Sequence, residues 1–220
     1  MRGRFITFEG GEGSGKSTHA ATLAHRLRLH GLHVVLTREP GGSPGAEIIR
    51  HILLSGVAKP MGAETEAILF AAARDDHLHN TIRPALEAGK WVICDRFYDS
   101  TRVYQGAVGR VDLKLIRGLE RVTVGETVPD LTFILDVPAD VGLARAAKRR
   151  GSKKADRFEA ETVDFHEKLR QAFLIIAKHE PERCMVVDGQ QTKQTVGDQI
   201  WKAVTERLKG HDAWHALAAQ

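Results

Sequence analysis

Five short apolar segments, rich in β-branched residues, recur along the chain and constrain its fold more than any other feature. They are FITF (5–8), HVVLT (33–37), WVICD (91–95), LTFILDV (131–137) and CMVVD (184–188). Polar and apolar residues do not alternate in them, which is typical of strands buried on both faces. Helical spacing of apolar residues is found between them, at 16–29, 64–79, 112–124 and 158–178. This alternation predicts right-handed crossovers and a five-stranded parallel sheet with helices on both faces.

The length and composition favour one soluble domain. A chain of 220 residues can build one sizeable core, so we predict a single domain over 1–220. No run of about 18 apolar residues is present, so the sequence predicts no membrane span. The N-terminus leads directly into a motif, so the sequence predicts no cleaved signal peptide. Cys94 and Cys184 lie inside apolar segments without metal spacing. They are expected to be buried thiols of a cytoplasmic protein.

A glycine-rich segment follows the first predicted strand and opens the first predicted helix. It reads GGEGSGKS and fits the pattern GxxxxGK[ST] of a phosphate-binding loop. The glycines allow backbone N–H groups to surround phosphate oxygens, and the helix N-terminus adds partial positive charge. Lys16 is expected to reach the β- and γ-phosphates, and Ser17 to coordinate Mg²⁺. The predicted ATP-binding residues are Gly10, Gly11, Glu12, Gly13, Ser14, Gly15, Lys16, Ser17 and Thr18.

The phosphate loop carries a carboxylate and, apart from Lys16, no cation. Glu12 would repel phosphates unless it points away, toward the sugar of a second substrate or toward an arginine. A solvent-facing loop carboxylate is the alternative. Any further cation that neutralises the transferred phosphoryl group must come from elsewhere in the chain.

The basic segment 145–157 is the predicted source of that cation. Arg145 and Arg149 are spaced i, i+4 and so share a helix face, and Gly151 is expected to end that helix. A basic hairpin between two helices is typical of a lid that closes over ATP. The alternatives are a solvated charge run, or a nucleic-acid patch that lacks interleaved aromatics. The net charge of +4 is weak support for anionic partners of either kind.

A second group of polar residues follows the third predicted strand, in DRFYDSTRVYQG. Asp95 ends the strand, where ligands bind in open α/β sheets, and it could hold Mg²⁺ through water. Arg96 could reach a phosphate, although an ordinary salt bridge between the two is the alternative. Hydrogen-bonding groups follow at Ser100, Thr101, Tyr104 and Gln105.

Two further segments could contact a base or an anion. Phe70 and Arg74 are spaced i, i+4 on a predicted helix, so a ring and a guanidinium would project together. A purely core role for Phe70 is the alternative. TREPGG could present Arg38 to an anion from a turn.

These motifs together resemble the thymidylate kinase family. FEGGEGSGKST, TREPGG, the Phe70/Arg74 pair, DRFYDSTRVYQG and ADRFE occur in the order of that family, over nearly the whole chain. A phosphate loop without arginine and an arginine-rich lid resemble its bacterial type. Phe97 in place of a commoner tyrosine and Ser14 in place of a frequent alanine are mild departures. The resemblance implies a P-loop NTPase fold, phosphorylation of dTMP by ATP, and a homodimer.

The resemblance also implies roles for individual residues. Phe70 would stack on thymine, while Arg74 and Thr101 would contact the edge of the base. Arg38 and Arg96 would bind the dTMP phosphate. The remaining predicted dTMP-binding residues are Glu12, Ser100, Tyr104 and Gln105.

The catalytic candidates come both from the motifs themselves and from the family resemblance. Lys16, Arg96, Glu12 and Arg149 are the predicted catalytic residues, and Arg149 is our first choice for the transition-state cation. Arg145, Arg150 and Arg157 are its rivals, and Arg145 and Arg157 are also predicted to contact ATP. No general base is required, because the acceptor phosphate is already an anion at neutral pH.

Other functions fit less well. A GTP-dependent switch would need NKxD and DxxG motifs, which the sequence lacks. A nucleic-acid-dependent ATPase would need a reading module, and none is recognisable. The closest alternative is a kinase for another nucleotide, which would differ in the base pocket. The eleven histidines form no HExxH pattern, and we expect those around the first helix and on the Arg74 helix to be surface or capping residues.

Overall fold

The computed structural model describes residues 2–152, 155 and 157–208. Its centre is a parallel sheet in the strand order β2-β3-β1-β4-β5. The strands are β1 (Phe5–Glu9), β2 (Val34–Arg38), β3 (Trp91–Asp95), β4 (Leu131–Asp136) and β5 (Cys184–Asp188). All five predicted strands and their parallel arrangement are thereby confirmed.

Helices connect the strands across both faces of the sheet. They are α1 (Lys16–Leu29), α2 (Pro44–Ser55), α3 (Gly62–His77), α4 (Arg83–Glu87), α5 (Tyr98–Thr101), α6 (Leu113–Thr123), α7 (Ala139–Arg150), α8 (Val163–His179) and α9 (Lys193–Arg207). A short 3₁₀ turn covers Lys59–Met61, and π-helical turns at Leu78–Ile82 and Arg102–Val108 extend α3 and α5. The predicted α/β fold is confirmed.

Two helix predictions need correction. The helix predicted to start at residue 158 begins at Val163, because Thr162 is extended and its hydroxyl accepts from the Phe165 amide at 3.2 Å. Phe158 therefore lies in the turn before α8. Helix α2 was not predicted, because GGSPG reads as a loop. Its proline occupies the first helical turn, where the missing N–H costs nothing.

The core consists of two apolar layers around the sheet. Ile6 and Phe8 of β1 pack beneath α1 and α9, while Phe5 faces the opposite layer with Phe97. Side chains alternate between the faces of a strand, so β1 is buried on both sides. This burial fixes the end of β1, from which the phosphate loop leaves the sheet.

The remaining sequence expectations concern the chain as a whole. Cys94 and Cys184 are buried free thiols, as predicted. Within the described residues, no helix is both long enough and apolar enough to span a membrane. The single domain over 1–220 extends beyond the described residues and stays a prediction.

Candidate active site

A cavity of about 350 Å³ lies where the strands end, at the carboxyl edge of the sheet, the usual ligand position in open α/β folds. Most of the predicted site residues line it. They are Glu12, Gly13, Gly15, Lys16, Ser17, Thr18, Arg38, Phe70, Asp95, Arg96, Ser100, Thr101, Tyr104, Gln105 and Arg149. The other seven candidates lie outside this lining: Gly10, Gly11, Ser14, Arg74, Arg145, Arg150 and Arg157.

Backbone geometry requires glycine at two positions of the phosphate loop. Gly10 has φ +133°, and a Cβ there would lie 2.6 Å from the Leu135 carbonyl oxygen. Gly13 has φ +65°, and its Cβ would lie 1.9 Å from the Gly142 carbonyl oxygen on α7. Any larger residue would therefore push the loop away from β4 and α7.

Lys16 folds back over the phosphate loop. Its Nζ donates to the Gly11 carbonyl at 2.6 Å and lies 3.3 Å from the Ser14 hydroxyl. Burial and the nearby Arg96 lower the pKa of Lys16 to about 8. A bound anion would oppose both effects and raise the pKa of Lys16. The position of this lysine therefore suits an anionic partner.

A hydrogen bond joins the start of α1 to the end of β3. The Ser17 hydroxyl donates to the Asp95 carboxylate, and both residues line the cavity. Oxygen donors of this kind suit Mg²⁺, which is usually held by one or two protein groups together with water and substrate phosphates. No cluster of three potential metal ligands of the His, Cys, Asp or Glu type occurs among the described residues. The pair fits a metal that is held partly by its substrate.

Glu12 turns away from the loop and pairs with Arg96, one of the two alternatives that the sequence left open. Arg96 Nη2 lies 2.5 Å from Glu12 Oε1, and the Tyr104 hydroxyl donates to the same oxygen at 3.2 Å. Burial alone would raise the pKa of Glu12, but Arg96 and then Lys16 outweigh it and lower that pKa to about 2. Glu12 is therefore ionised at neutral pH.

Arg96 occupies an unusual backbone conformation at the centre of this cluster. Its φ is +69°, a left-handed conformation that costs a non-glycine residue on the order of 1 kcal/mol. Its Nη1 donates to the Gly10 carbonyl at 3.2 Å and to the Ser100 hydroxyl at 3.1 Å. The guanidinium thus joins the phosphate loop to the segment after β3.

Glu9, at the end of β1, is a residue that the sequence reasoning missed. One oxygen accepts from the Phe97 amide at 2.7 Å, and the other accepts from the Ser100 hydroxyl at 2.7 Å. Burial and the neighbouring Asp99 raise the pKa of Glu9 to about 7. Glu9 directly follows the first predicted strand, and no local sequence pattern links it to the segment after β3.

Phe70 and Arg74 differ in their access to the cavity. Phe70 lines it, with its ring centroid 6.1 Å from that of Phe158. Arg74 lies behind the wall, where its Nη2 donates to the Thr101 hydroxyl at 3.0 Å. His77, which we expected at the surface, is wholly buried. That expectation was wrong, because His77 serves a polar network around Arg74.

The exposed anion candidate, Arg38, projects from the end of β2. Its Nη2 lies 3.0 Å from Glu47 Oε1 on α2. Both side chains are about half exposed, so this ion pair contributes little stability, and the guanidinium can exchange its partner.

The cations of the predicted lid contact three different parts of the molecule. Helix α7 ends at Arg150 and is followed by Gly151 with φ +61°, as the sequence predicts. Arg149 and Arg150 both donate to Glu159, at 3.1 and 2.8 Å. Arg145 donates to the Gly189 carbonyl at 2.9 Å, and Arg157 lies 2.9 Å from Glu66 of α3. Lys153, Lys154 and Asp156 lie outside the described residues. Of the four arginines, Arg149 alone lines the cavity.

The fold and the site define a class of protein. A parallel sheet of this order, a phosphate loop after β1 and a second polar subsite beside the loop are the features of a P-loop nucleotide kinase. The family model described as thymidylate kinase matches residues 8–200. The chain belongs to the thymidylate kinase family.

Individual relatives agree with this assignment. The chain is 59% identical over 213 residues to the thymidylate kinase of Nitrobacter winogradskyi, covering 97% of this chain and 93% of that protein. It is 60% identical over 207 residues to that of Afipia carboxidovorans, covering 94% and 91%. The crystal structure of thymidylate kinase from Ehrlichia chaffeensis matches with a TM-score of 0.73 and 35% identity, covering 93% of this chain and 99% of that one. The resemblance stated from the motifs is confirmed.

Proposed function

We propose that this chain transfers the γ-phosphoryl group of ATP to dTMP, giving dTDP and ADP. One observation supports this beyond family membership: Lys16 of the phosphate loop and Arg96 after β3 line the same cavity. Two cations on one cavity suit two phosphate groups that must meet in line.

The donor nucleotide would occupy the phosphate loop, residues Gly10 to Thr18. Backbone N–H groups at the start of α1 would surround its β- and γ-phosphates, and Lys16 would leave the Gly11 carbonyl to bind them. Arg145 and Arg157 remain predicted ATP contacts. Arg157 would have to leave Glu66 to reach the phosphates.

The acceptor would occupy the other half of the cavity. Phe70 would stack on thymine, and Arg74 and Thr101 would contact its edge, with Gln105 as a further contact. Arg96 and Arg38 would bind the phosphate, with Ser100 beside Arg96. Tyr104 and Glu12 form one hydrogen-bonded unit that would face the deoxyribose.

Ser17 and Asp95 would hold Mg²⁺ together with the phosphates and water. The metal would supply charge neutralisation at the β- and γ-oxygens. The residues of the chain supply the rest of the chemistry. They would align the acceptor oxygen with the γ-phosphorus, and Arg149, which lines the cavity, would approach the transferred phosphoryl group.

No covalent intermediate on the chain is required. The attacking atom is an oxygen of the dTMP phosphate, which already carries negative charge. The bond from the γ-phosphorus to the bridging oxygen breaks as the new bond forms, and the electron pair leaves on ADP. Catalysis then rests on alignment and charge neutralisation.

Acceptor-dependent ADP production tests this function. Mg-ATP is supplied with dTMP, dUMP, CMP, GMP or AMP in turn. We expect activity with dTMP and much weaker activity with dUMP. Comparable activity with another monophosphate would keep the kinase assignment and refute the base subsite, whereas ADP production independent of any acceptor would refute the function.

We further propose a homodimer, as the family resemblance implies. We also propose a cytoplasmic location, because the two thiols of the chain are free. Ile48 on α2 and Ile68 on α3 are 67% and 48% exposed, and large exposed apolar side chains favour association. Light scattering should give twice the monomer mass. Replacing both with Asp should give a monomer, and an unchanged mass would place the interface elsewhere.

A further inference from the structure

The segment 157–161 reaches the cavity from the turns that precede helix α8. The Glu161 amide donates to the Phe158 carbonyl at 3.1 Å, which closes one of these turns. Because neither a helix nor a sheet ladder fixes these five residues, their position depends on what their side chains contact.

Arg157 fastens this segment to helix α3. Its Nε lies 2.9 Å from Glu66 Oε1, and its Nη2 donates to Glu66 Oε2 at 3.3 Å. A planar guanidinium that contacts both oxygens of a carboxylate fixes an orientation as well as a distance. The two side chains are 15% and 4% exposed, so this ion pair, here called the Glu66–Arg157 clasp, is largely shielded from solvent.

The residue next to the clasp, Phe158, is a cavity residue that the sequence reasoning missed. The Arg157 guanidinium lies over the Phe158 ring, 4.3 Å from its centroid. That ring lies 6.1 Å from Phe70 and 5.3 Å from Tyr104, edge to face with the latter. All three rings line the cavity, so Phe158 completes an aromatic wall around the half assigned to the acceptor.

The clasp also acts on the helix that carries the proposed stacking ring. Glu66 and Phe70 are spaced i, i+4 on α3 and therefore share one face of it. The clasp thus ties Phe158 to the helical face from which Phe70 projects.

We propose that Glu66 and Arg157 are positioning residues that hold Phe158 against Phe70 and Tyr104, so that the segment 157–161 forms one wall of the acceptor subsite. Without the clasp, this wall would move away from α3 and leave the apolar part of the acceptor in contact with water. This inference deepens the proposed function and rests on it.

The alternative role of Arg157, the predicted contact with ATP, leads to the opposite expectation. An ATP contact would require Arg157 to leave Glu66, so loss of the Glu66 charge would leave ATP binding intact or strengthen it. A clasp requires the pair to persist, so loss of either partner would weaken the binding of dTMP. The position of Arg157 outside the cavity lining favours the clasp.

The experiment is calorimetric titration of the wild type, Glu66→Gln, Arg157→Gln and the double variant. Each protein is titrated with dTMP alone and, separately, with the β,γ-imido analogue of ATP and Mg²⁺. Both single variants should raise the Kd for dTMP by about tenfold or more and keep the Kd for the ATP analogue within about twofold of wild type. Because the two substitutions break the same pair, their effects on dTMP binding should not add in the double variant.

Phe158→Ala tests the wall itself. This substitution should raise the Kd for dTMP by about tenfold or more, as the loss of an apolar pocket contact does. Adding Glu66→Gln to Phe158→Ala should weaken dTMP binding little further, because Glu66 acts through Phe158. An ion pair that served stability alone would not show this dependence on Phe158.

Two controls separate positioning from loss of folding. Lys59→Gln removes an exposed ion pair between Lys59 and Glu161 of the same segment, 3.2 Å apart, and should leave the Kd for dTMP unchanged. Val204→Ala removes buried volume from α9 and should lower the melting temperature without changing that Kd. If a single variant of the clasp does not fold, the double variant, which buries no unpaired charge, replaces it and should show the same loss of dTMP binding.

The proposal is overturned if the clasp variants or Phe158→Ala bind dTMP as tightly as the wild type. It is also overturned if Arg157→Gln weakens binding of the ATP analogue alone, which would make Arg157 an ATP contact, or if Lys59→Gln weakens dTMP binding as much as Glu66→Gln does. Additive effects of the two clasp substitutions would have the same consequence. Absence of dTMP binding in the wild type would instead refute the proposed function, so the two failures are distinguishable.

Discussion

Arg96 and Glu12 form an ion pair, with 2.5 Å between Nη2 and Oε1 and 16% of each side chain exposed, across the gap between the phosphate loop and the segment after β3. The Tyr104 hydroxyl hydrogen-bonds to both partners. The two halves of the site are therefore joined before any acceptor binds. An incoming phosphate must therefore share the Arg96 guanidinium with Glu12.

The first prediction concerns this pair. Glu12→Gln keeps the shape but removes the charge that holds Arg96, so the KM for dTMP should rise about tenfold, the effect of one charged hydrogen bond. The KM for ATP should change little. Steady-state kinetics measure the two KM values, and Glu126→Gln, at an exposed position, is the control. A rise confined to the KM for ATP would assign Glu12 to the donor side.

The second prediction distinguishes the lid arginines. Arg149→Ala should lower kcat by about 100-fold or more with a smaller change in dTMP affinity, because a cation that acts on the transferred group is used in the transition state. Arg150→Ala is the matched control, since Arg150 pairs with the same Glu159 carboxylate. If Arg149→Ala leaves kcat intact, another lid cation carries this role.

The third prediction concerns the metal. Asp95→Asn should raise the Mg²⁺ concentration for half-maximal rate by about 10- to 100-fold, since it removes a charged ligand or its water contact. Asp136→Asn, at the end of the neighbouring strand β4, is the control, because Asp136 pairs with Arg170. Equal Mg²⁺ titrations for Asp95→Asn and wild type would remove Asp95 from the metal site.

The fourth prediction concerns protons taken up with ATP. The pKa of Lys16 is about 8 in the free protein, and bound phosphate should raise it, so ATP binding at pH 8 should take up about half a proton. Calorimetry in two buffers of different ionisation enthalpy measures this number. Lys16→Ala should abolish both the uptake and turnover. ATP binding without proton uptake in the wild type would contradict the assignment of Lys16 as a ligand of the ATP phosphates.

The fifth prediction concerns stability and pH. Glu9 has a folded pKa of about 7, above its unfolded value, so the folded state binds the extra proton between about pH 4.5 and 7. Stability should therefore fall as pH rises through this window, by about 3 kcal/mol at most from this group. Denaturant unfolding at pH 5 and pH 8 should show that loss in the wild type and not in Glu9→Gln. Equal losses in both proteins would contradict the prediction.

The strands and the phosphate loop could be predicted because their signals are local. Each strand is a continuous apolar run, and the loop is defined by glycines that backbone geometry requires, as at Gly13. Helical spacing also identified Phe70, and position at or after the end of the third predicted strand identified Asp95, Arg96 and Tyr104; all four line the cavity.

The networks behind the cavity could not be predicted, because they depend on the order of strands in the sheet. Strand β2 lies beside β3, so Glu39 meets Arg74 and His77 from α3, far away in sequence. Periodicity cannot show such partners. The same limit applies to Arg157, whose contact with Glu66 follows from the packing of the segment before α8 onto α3.

Transfer of labelled phosphate is the most direct test of the account. ATP labelled at its γ-phosphorus is mixed with the protein, Mg²⁺ and dTMP, and the nucleotides and inorganic phosphate are separated. We predict that the label appears in dTDP, in proportion to the ADP formed, and that omission of dTMP stops its release. Label that appears in inorganic phosphate whether or not dTMP is present would contradict the central claim.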